Sequence, residues 1–243
     1  YCGTIMATTF LTLVNDTLRR MNEVIISSTD FPTVIGHRAQ VKDAVNAALH
    51  DISQKQFEFP FNHTDGSLTL VAGTKAYALA SDCKIADWGS FRINYDASNS
   101  WDARPLVQIN YDTYLSRFFS RDDEATTGDY DTPNFVYRKP DGTAGFTAVT
   151  DQAYGVSYDY YSYHTDLALH SDTMAVPDAF KHVVVDGATY YSYMFRDNSQ
   201  QASIMERKFT EGISRMRTIL TNDTTDVRDT RVGRLINTPH GNY

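Results

Sequence analysis

Histidine and aspartate, residue types that bind divalent transition metals, occur together twice in one short segment of this chain. His164 is followed by Asp166, and His170 by Asp172. No histidine of the sequence has another at the i+4 spacing that places two ligands on one face of a helix. Exposed polar loops commonly have this composition, so we expect no metal site at these residues.

A second pattern that could bind a cation is the acidic run Asp122-Asp123-Glu124. Its carboxylates suit a hard ion such as calcium, but the run lacks the spaced ligands of a calcium loop. A solvated turn is therefore the favoured interpretation. The sequence predicts no metal and no cofactor.

Motifs that perform catalysis are absent from the sequence. It contains no P-loop, no dinucleotide fingerprint, no H-E-x-x-H and no G-x-S-x-G. A carboxylate pair for glycoside hydrolysis cannot be chosen among the 30 Asp and Glu residues without geometry. We expect no catalytic residue and no enzymatic activity, and a hydrolase acting on cell wall or glycan stays as an alternative.

Five tyrosines at close spacing could form a platform on which sugars or bases stack: Tyr154, Tyr158, Tyr160, Tyr161 and Tyr163. An alternating aromatic strand more often supplies a sheet core and an interface. A carbohydrate-binding or receptor-binding module is the alternative function that this cluster keeps open.

The C-terminal segment 222–243 is polar and is predicted to be a tail. Mobile segments of this composition can become ordered on a partner, where arginines pair with carboxylates and apolar side chains fill pockets. A frayed terminus is the other interpretation. The candidate binding residues are Arg228, Arg231, Arg234, Leu235, Ile236, Pro239, His240 and Tyr243.

Net charge, cysteine positions and hydropathy argue against several classes of protein. The formal net charge of −8 argues against a broad basic surface for nucleic acid. Cys2 and Cys83 lie far apart, so neither a disulfide framework nor a zinc site is indicated. No apolar run approaches the roughly 20 residues that span a bilayer. We expect no membrane partner, synthesis in the cytoplasm, and a natural start at Met6, which would make the five preceding residues an extension.

Helical periodicity appears near both ends of the chain. It predicts helices from Thr9 to Val24 and from Gly36 to Gln56, and again from Pro177 and from Gln200 to Leu220, ending near Asn222. A lone helical pair cannot bury its apolar face, so the two pairs are expected to form a four-helix bundle. Its predicted core is Val41, Val45, Leu49, Ile52, Phe180, Val184, Met205, Phe209, Ile213 and Met216.

The segment between the helical pairs alternates with period two and is predicted to be β-rich. Ser67 to Leu79 is expected to form a hairpin, and Arg121 to Asp131 a loop. Tyr111 to Ser120 could be a short helix. Further strands are predicted at Trp88–Tyr95, Ala103–Val107, Asn134–Arg138, Gly145–Val149 and Tyr154–Tyr163, with a turn at Pro140-Asp141-Gly142.

The fold class that follows is α+β, with an antiparallel β-rich insertion, either barrel or sandwich, inside the helical bundle. The second helical pair follows the insertion, and an extended C-terminal tail follows the second helical pair. The predicted domains are 6–56 with 174–221 for the helices, 57–173 for the insertion and 222–243 for the tail.

Three motifs resemble the head-to-tail adaptor (connector) proteins of tailed bacteriophages, in particular the tail tubular protein A type. The matching pieces cover roughly residues 8 to 82 and 174 to 221, and Ala80 stands where that family often has proline. The motifs are Val41-x-x-Ala44-Val45-Asn46-x-Ala48-Leu49-x-Asp51-Ile52, then Leu68-Thr69-Leu70-Val71-Ala72-Gly73-Thr74-x-x-Tyr77-x-Leu79-x-Ser81-Asp82, and Val176-Pro177-Asp178-Ala179-Phe180.

The resemblance implies a virion structural protein at the head–tail interface, assembled in the host cytoplasm. Such proteins form a ring, usually a dodecamer, between the portal and the tail or nozzle proteins. The resemblance also implies that double-stranded DNA passes through the lumen of the ring without specific binding. An acidic lumen would favour that passage by repelling the phosphate backbone.

Overall fold

The computed structural model describes residues 8–55, 57–94 and 103–232, and of Thr127 and 221–232 only the backbone. The described part is mixed α and β, with six α-helices and two sheets. The chain divides into two compact units. The helical unit comprises Tyr1–Phe61 with His164–Tyr243, and the β unit comprises Asn62–Tyr163.

The helical unit is built from both ends of the chain, and one helix contacts each of the others. Its helices are α1 (Phe10–Arg20), α2 (His37–Gln54), α5 (Lys181–Phe195) and α6 (Ser199–Val232). Helix α5 packs against α6, α2 and α1. Gly187 in α5 permits this close packing, because a Cβ there would lie 2.6 Å from the Phe209 ring and 2.9 Å from the Ala48 methyl.

Hydrogen bonds of side chains and backbone join the N-terminal and C-terminal parts of this unit. The Asn46 amide accepts from the Leu167 N–H and donates to the Leu167 carbonyl, both at 3.0 Å. The Thr8 N–H donates to Asp178 at 2.9 Å, and the Phe10 N–H donates to the Asp172 carbonyl at 2.7 Å. These bonds fix α1 and α2 against the segment that follows the β unit.

The apolar periodicity of the helices corresponds to a buried core. Of the residues predicted for it, Phe180 is only partly buried and Met205 lies at its margin, 9% exposed. The remaining predicted residues are all buried: Val41, Val45, Leu49, Ile52, Val184, Phe209, Ile213 and Met216.

The predicted end of the last helix near Asn222 is wrong. Helix α6 continues to Val232, so the first part of the predicted tail is helical rather than extended. No Pro or Gly occurs between Ile213 and Val232, and Gly233 is the first such residue after the helix. Polarity alone therefore did not mark the helix end.

The β unit contains nine short strands in the described residues. They are β1 (His63–Thr69), β2 (Ala76–Tyr77), β3 (Cys83–Ala86), β4 (Arg92–Asn94), β5 (Ala103–Pro105), β6 (Val107–Ile109), β7 (Phe135–Arg138), β8 (Ala144–Thr147) and β9 (Gly155–Ser162). In the first sheet β9 is central. It pairs antiparallel with β1 on one side and with β3 and β4 on the other, and β5 pairs with β4.

The second sheet has the order β2-β8-β7-β6, with β6 parallel to β7. Inward side chains of both sheets share one core. For example, the ring of Phe91, which directly precedes β4, lies 6.4 Å from the ring of Phe146 in β8, measured between ring centroids. The two sheets are separate, so the barrel alternative is wrong.

The hairpin predicted from Ser67 to Leu79 is also wrong. Gly73 has φ +78° and forms a turn, but β1 before it pairs with β9 whereas β2 after it pairs with β8. Period-two alternation reports which face of a strand is buried and does not report its partner. The turn thus connects two sheets.

The predicted loop from Arg121 to Asp131 is partly helical. Helix α3 spans Tyr111–Arg117 and α4 spans Phe119–Glu124, so the expected short helix divides into two and extends further. Asp122 is buried at 2% exposure, although the acidic run was expected to be solvated. Strand β3 was not predicted.

Candidate assembly surfaces

The first exposed apolar surface lies at the turns of the helical unit, where α1 and α5 end and α2 and α6 begin. Arg196 after α5 donates a hydrogen bond to Glu23 after α1, and this bond lowers the pKa of the Glu23 carboxyl. The charges of Arg196, His37 and Arg38 add to that lowering. Five exposed apolar residues form this loop-end surface: Val24, Ile25, Ile35, Met194 and Phe195.

Exposure of these side chains is large for apolar residues, since Ile35 is 87% exposed and Val24 67%. Single exposed apolar residues are normal, but a group around a charged centre is typical of interaction sites. The loop-end surface is therefore a candidate for contact with another protein.

A groove runs along α5 between α1 and α6, and we call it the α5 groove. It consists of two adjoining cavities of about 450 and 280 Å³ that share His182, Asp186 and Lys208. The first cavity also contacts Arg20, Thr189, Tyr193, Gln201 and Met205, and the second contacts Glu211, Gly212 and Arg215.

Positive charge dominates this groove. Arg20 donates to Asp186, and Arg215 lies 3.8 Å from Glu211, so the two acids of the groove are already paired. Lys208 forms no ion pair with any residue in the described part of the chain. The groove thus offers an unpaired cation beside partly apolar walls.

The C-terminal binding residues fall in two different settings. Arg228 and Arg231 belong to α6, in a part of the helix of which only the backbone is described. Arg234 and the residues after it, through Tyr243, lie outside the described residues. The prediction that these residues bind a partner is not tested by the fold.

Three tyrosines of the predicted stacking platform are buried in the β unit. Tyr154, Tyr158 and Tyr160 are 4%, 2% and 7% exposed. The Tyr160 hydroxyl donates to Asp82 at 3.0 Å, and burial with this bond raises the pKa of Tyr160 to about 12. Tyr161 is partly buried and Tyr163 is exposed. These rings supply a sheet core, with only Tyr163 exposed to a ligand.

A shallow cavity of about 370 Å³ lies in the β unit beside β3. Ile85 is exposed there, and Trp88 stacks on Phe91 with ring centroids 5.2 Å apart. Burial raises the pKa of the Cys83 thiol, so it stays protonated and is a poor nucleophile. The cavity resembles a contact surface more than a reactive site.

The histidine and aspartate pairs have structural partners. His50 lies 2.8 Å from Asp166, and Asp172 accepts N–H groups of Ala168 and Leu169 at 2.8 and 2.7 Å. Burial, with the charge of His50, lowers the pKa of His164 to about 4. Among the side chains described in 8–55, 57–94 and 103–220, no three of His, Cys, Asp or Glu group as a metal site.

Asp122 of the acidic run pairs with the neighbouring arginine. Arg121 donates to its Oδ1 at 3.1 Å and to the Thr147 hydroxyl at 2.9 Å. Asp122 Oδ2 accepts no hydrogen bond from a described residue. The hydrogen bond from Arg121 to Thr147 anchors α4 to the end of β8.

A helix able to cross a membrane was not found among the described residues.

Comparison with protein families identifies the chain as a bacteriophage adaptor protein, a structural protein of the virion. Residues 8–235 match the family model described as SU10 adaptor protein, and the chain belongs to this family. The match implies contact with other phage capsid or tail proteins. The narrower tail tubular protein A type is not confirmed. A search of curated proteins found no match to the chain.

Sequence reasoning missed both surfaces of the helical unit. The α5 groove collects residues from three helices, and no local spacing predicts that they meet. The polar positions His182, Asp186, Thr189 and Tyr193 on one face of an otherwise apolar helix are the signal that could have indicated it.

Proposed function

We propose that this adaptor forms a closed ring, a dodecamer, between the portal and the tail or nozzle proteins of a bacteriophage, and that it acts without catalysis. The observation that carries this proposal is the match of residues 8–235 to the adaptor family. The length of α6 adds to it, because the backbone of this helix runs over 34 residues from Ser199 to Val232, about 51 Å at a rise of ~1.5 Å per residue.

The C-terminal end of this long helix carries residue types suited to binding a partner. The arginines at 228, 231 and 234 are at three-residue spacing, followed by Leu235 and Ile236. Arginine forms bidentate pairs with carboxylates, and the apolar pair can fill a pocket. We assign this C-terminal end to portal binding and the loop-end surface to other contacts in the assembly.

Passage of DNA through the ring is supported by the charge of the chain. The net charge of −8 is repeated in every copy, and an acidic lumen repels the phosphate backbone. The β unit carries most of this charge. Counted along the sequence, Asn62–Tyr163 contains 14 Asp and Glu against 8 Lys and Arg. The acidic lining is therefore assigned to the β unit.

The carbohydrate-binding alternative loses its main support, because most of the proposed tyrosine platform is buried. Non-enzymatic action is supported by the structural roles of the titratable groups described above.

Shortening the chain tests the C-terminal assignment. A variant ending at Val232 is expected to fold like the full chain and to lose binding to the portal encoded by the same genome, measured by cosedimentation. A second variant replaces Arg228, Arg231 and Arg234 by lysine, which keeps the charge and removes bidentate pairing, so it is also expected to weaken portal binding. Portal binding that is unchanged in both variants would contradict the assignment.

A further inference from the structure

We propose that the α5 groove binds the outward face of α2 from a neighbouring copy of the chain, so that one contact, repeated, builds the ring. This inference rests on the proposed function and specifies which surfaces of two copies meet. The occupant is a second copy because the same helical unit carries an acidic helix face of matching spacing.

The groove has the shape to accept a helix. Its floor is α5, and α1 and α6 form its sides, with Arg20 on one side and Lys208 and Arg215 on the other. Gly212 on the α6 side lets α6 pack closely on α5, since a Cβ there would lie 3.0 Å from the buried Val183 side chain. Along α6, Lys208 and Arg215 are about 10.5 Å apart at ~1.5 Å per residue.

The complementary surface is an acidic ridge on α2, formed by Asp43, Ala47 and Asp51. Asp43 is exposed and forms no ion pair with a described residue, whereas Asp51 pairs with Lys55 at 3.2 Å on the surface. The two carboxylates are about 12 Å apart along the helix at ~1.5 Å per residue. Ala47 between them is small, so the helix backbone can approach the groove closely.

The two surfaces are free at the same time in one copy. The buried stripe of α2 faces α5, and Asp43 lies on the opposite, exposed face. Asp51 lies at the flank of α2, partly exposed, where its charge adds to burial in raising the pKa of Tyr190 and Tyr191 of α5. The α5 groove lies between α1 and α6. Because the ridge and the groove are different surfaces, the contact is heterologous, and such contacts generate rings when the rotation closes.

Electrostatics favours this pairing over other contacts between copies. Two copies that each carry a net charge of −8 repel at long range. An acidic ridge against the groove that contains Lys208 replaces this repulsion by a local attraction, and it fixes the register of the two helices.

Charge reversal tests the pairing. The ridge variant is Asp43→Lys with Asp51→Lys, and the groove variant is Lys208→Glu with Arg215→Glu. Each variant alone places like charges in the contact, so ring formation on the portal is expected to weaken at least about tenfold. A chain that carries all four changes restores opposite charges and is expected to recover, as is an equimolar mixture of the two variants.

The control is Arg207→Glu, an exposed reversal on α6 outside the groove, which is expected to assemble like the native chain. Circular dichroism of each variant checks the fold. Ring formation by the native chain with unchanged assembly of both variants, or with no recovery in the four-change chain, would overturn the pairing while leaving the proposed function intact. Failure of the native chain to form a ring on its portal would overturn both.

Discussion

The helical unit and the β unit distribute charge and aromatic residues in different ways. The β unit is acidic and buries several aromatic residues in its core, where Phe91 and Tyr158 stack at 4.9 Å, although Phe119 and Tyr163 are exposed. The helical unit is nearly balanced, with 16 Asp and Glu against 14 Lys and Arg, and it leaves apolar residues and a cationic groove exposed. Both units expose apolar residues, so the comparison separates them by charge: the cationic groove belongs to the helical unit, and the acidity is a property of the β unit.

The variant with the largest expected effect tests whether the helical unit and the β unit unfold independently. Phe209→Asp buries an unpaired charge where the ring is 2% exposed, and it is expected to cost more than about 4 kcal/mol and to unfold the helical unit. Thr210→Asp, at an exposed neighbouring position, is the control. Hydrogen exchange would show whether β1 and β9 keep their protection. Their simultaneous loss would show that the units do not fold separately.

A smaller effect is expected from crowding in the β unit. A Cβ at Gly145 would lie 2.2 Å from the Tyr137 ring, which is buried and stacked on Tyr114 at 4.0 Å. Because that ring cannot move away, Gly145→Ala is expected to lower the free energy of unfolding by about 1–3 kcal/mol. Gly128→Ala, where nothing lies within 4 Å, should change it little. Equal denaturation midpoints for the two variants would show that the ring adapts.

Removing the bonds that join the two chain ends is expected to cost about 1–2 kcal/mol. Asn46→Ala loses both hydrogen bonds to Leu167 and affects the helical unit only. Asn46→Asp keeps the acceptor and loses the donor, so its stability should lie between those of the native chain and the alanine variant. Thermal unfolding measures all three, and an alanine variant as stable as the native chain would argue against this role.

The smallest effect is a dependence of stability on pH. His164 has a folded pKa of about 4, below its ordinary 6.5, because of burial and His50. Between these values the unfolded chain binds a proton that the folded chain does not, so stability falls as pH drops from 6.5 towards 4, by about 1 kcal/mol after screening by solvent. His164→Gln should flatten this slope, and His182→Gln, on an exposed residue, should not. Parallel slopes in all three chains would contradict the assignment.

The core of the helical unit was predictable because residues that repeat every three to four positions face the same side whatever lies beyond. The ends of the helices in this unit were less predictable. Helix α1 ends at Arg20 rather than Val24, since Asn22 adopts φ +57° and the chain turns there. Helix α6 passes its predicted end because nothing in its sequence stops it before Gly233.

Pairing in the β unit could not be predicted from local pattern. Strand β3 is short, and its partner β9 is distant along the chain, so no adjacent signal marks it. The assembly surfaces could not be predicted for the same reason, because they depend on residues distant in sequence. The α5 groove, for example, exists only once α1, α5 and α6 are packed. Sequence pattern therefore predicted what is buried and could not predict what the packing leaves exposed.

The most direct test of the ring is electron microscopy of the full chain mixed with the portal encoded by the same genome. We expect a closed ring of copies on one end of the portal, with the helical units in contact around it. Dispersed monomers beside bare portals, at concentrations where the tail proteins of the same virion assemble, would contradict the account.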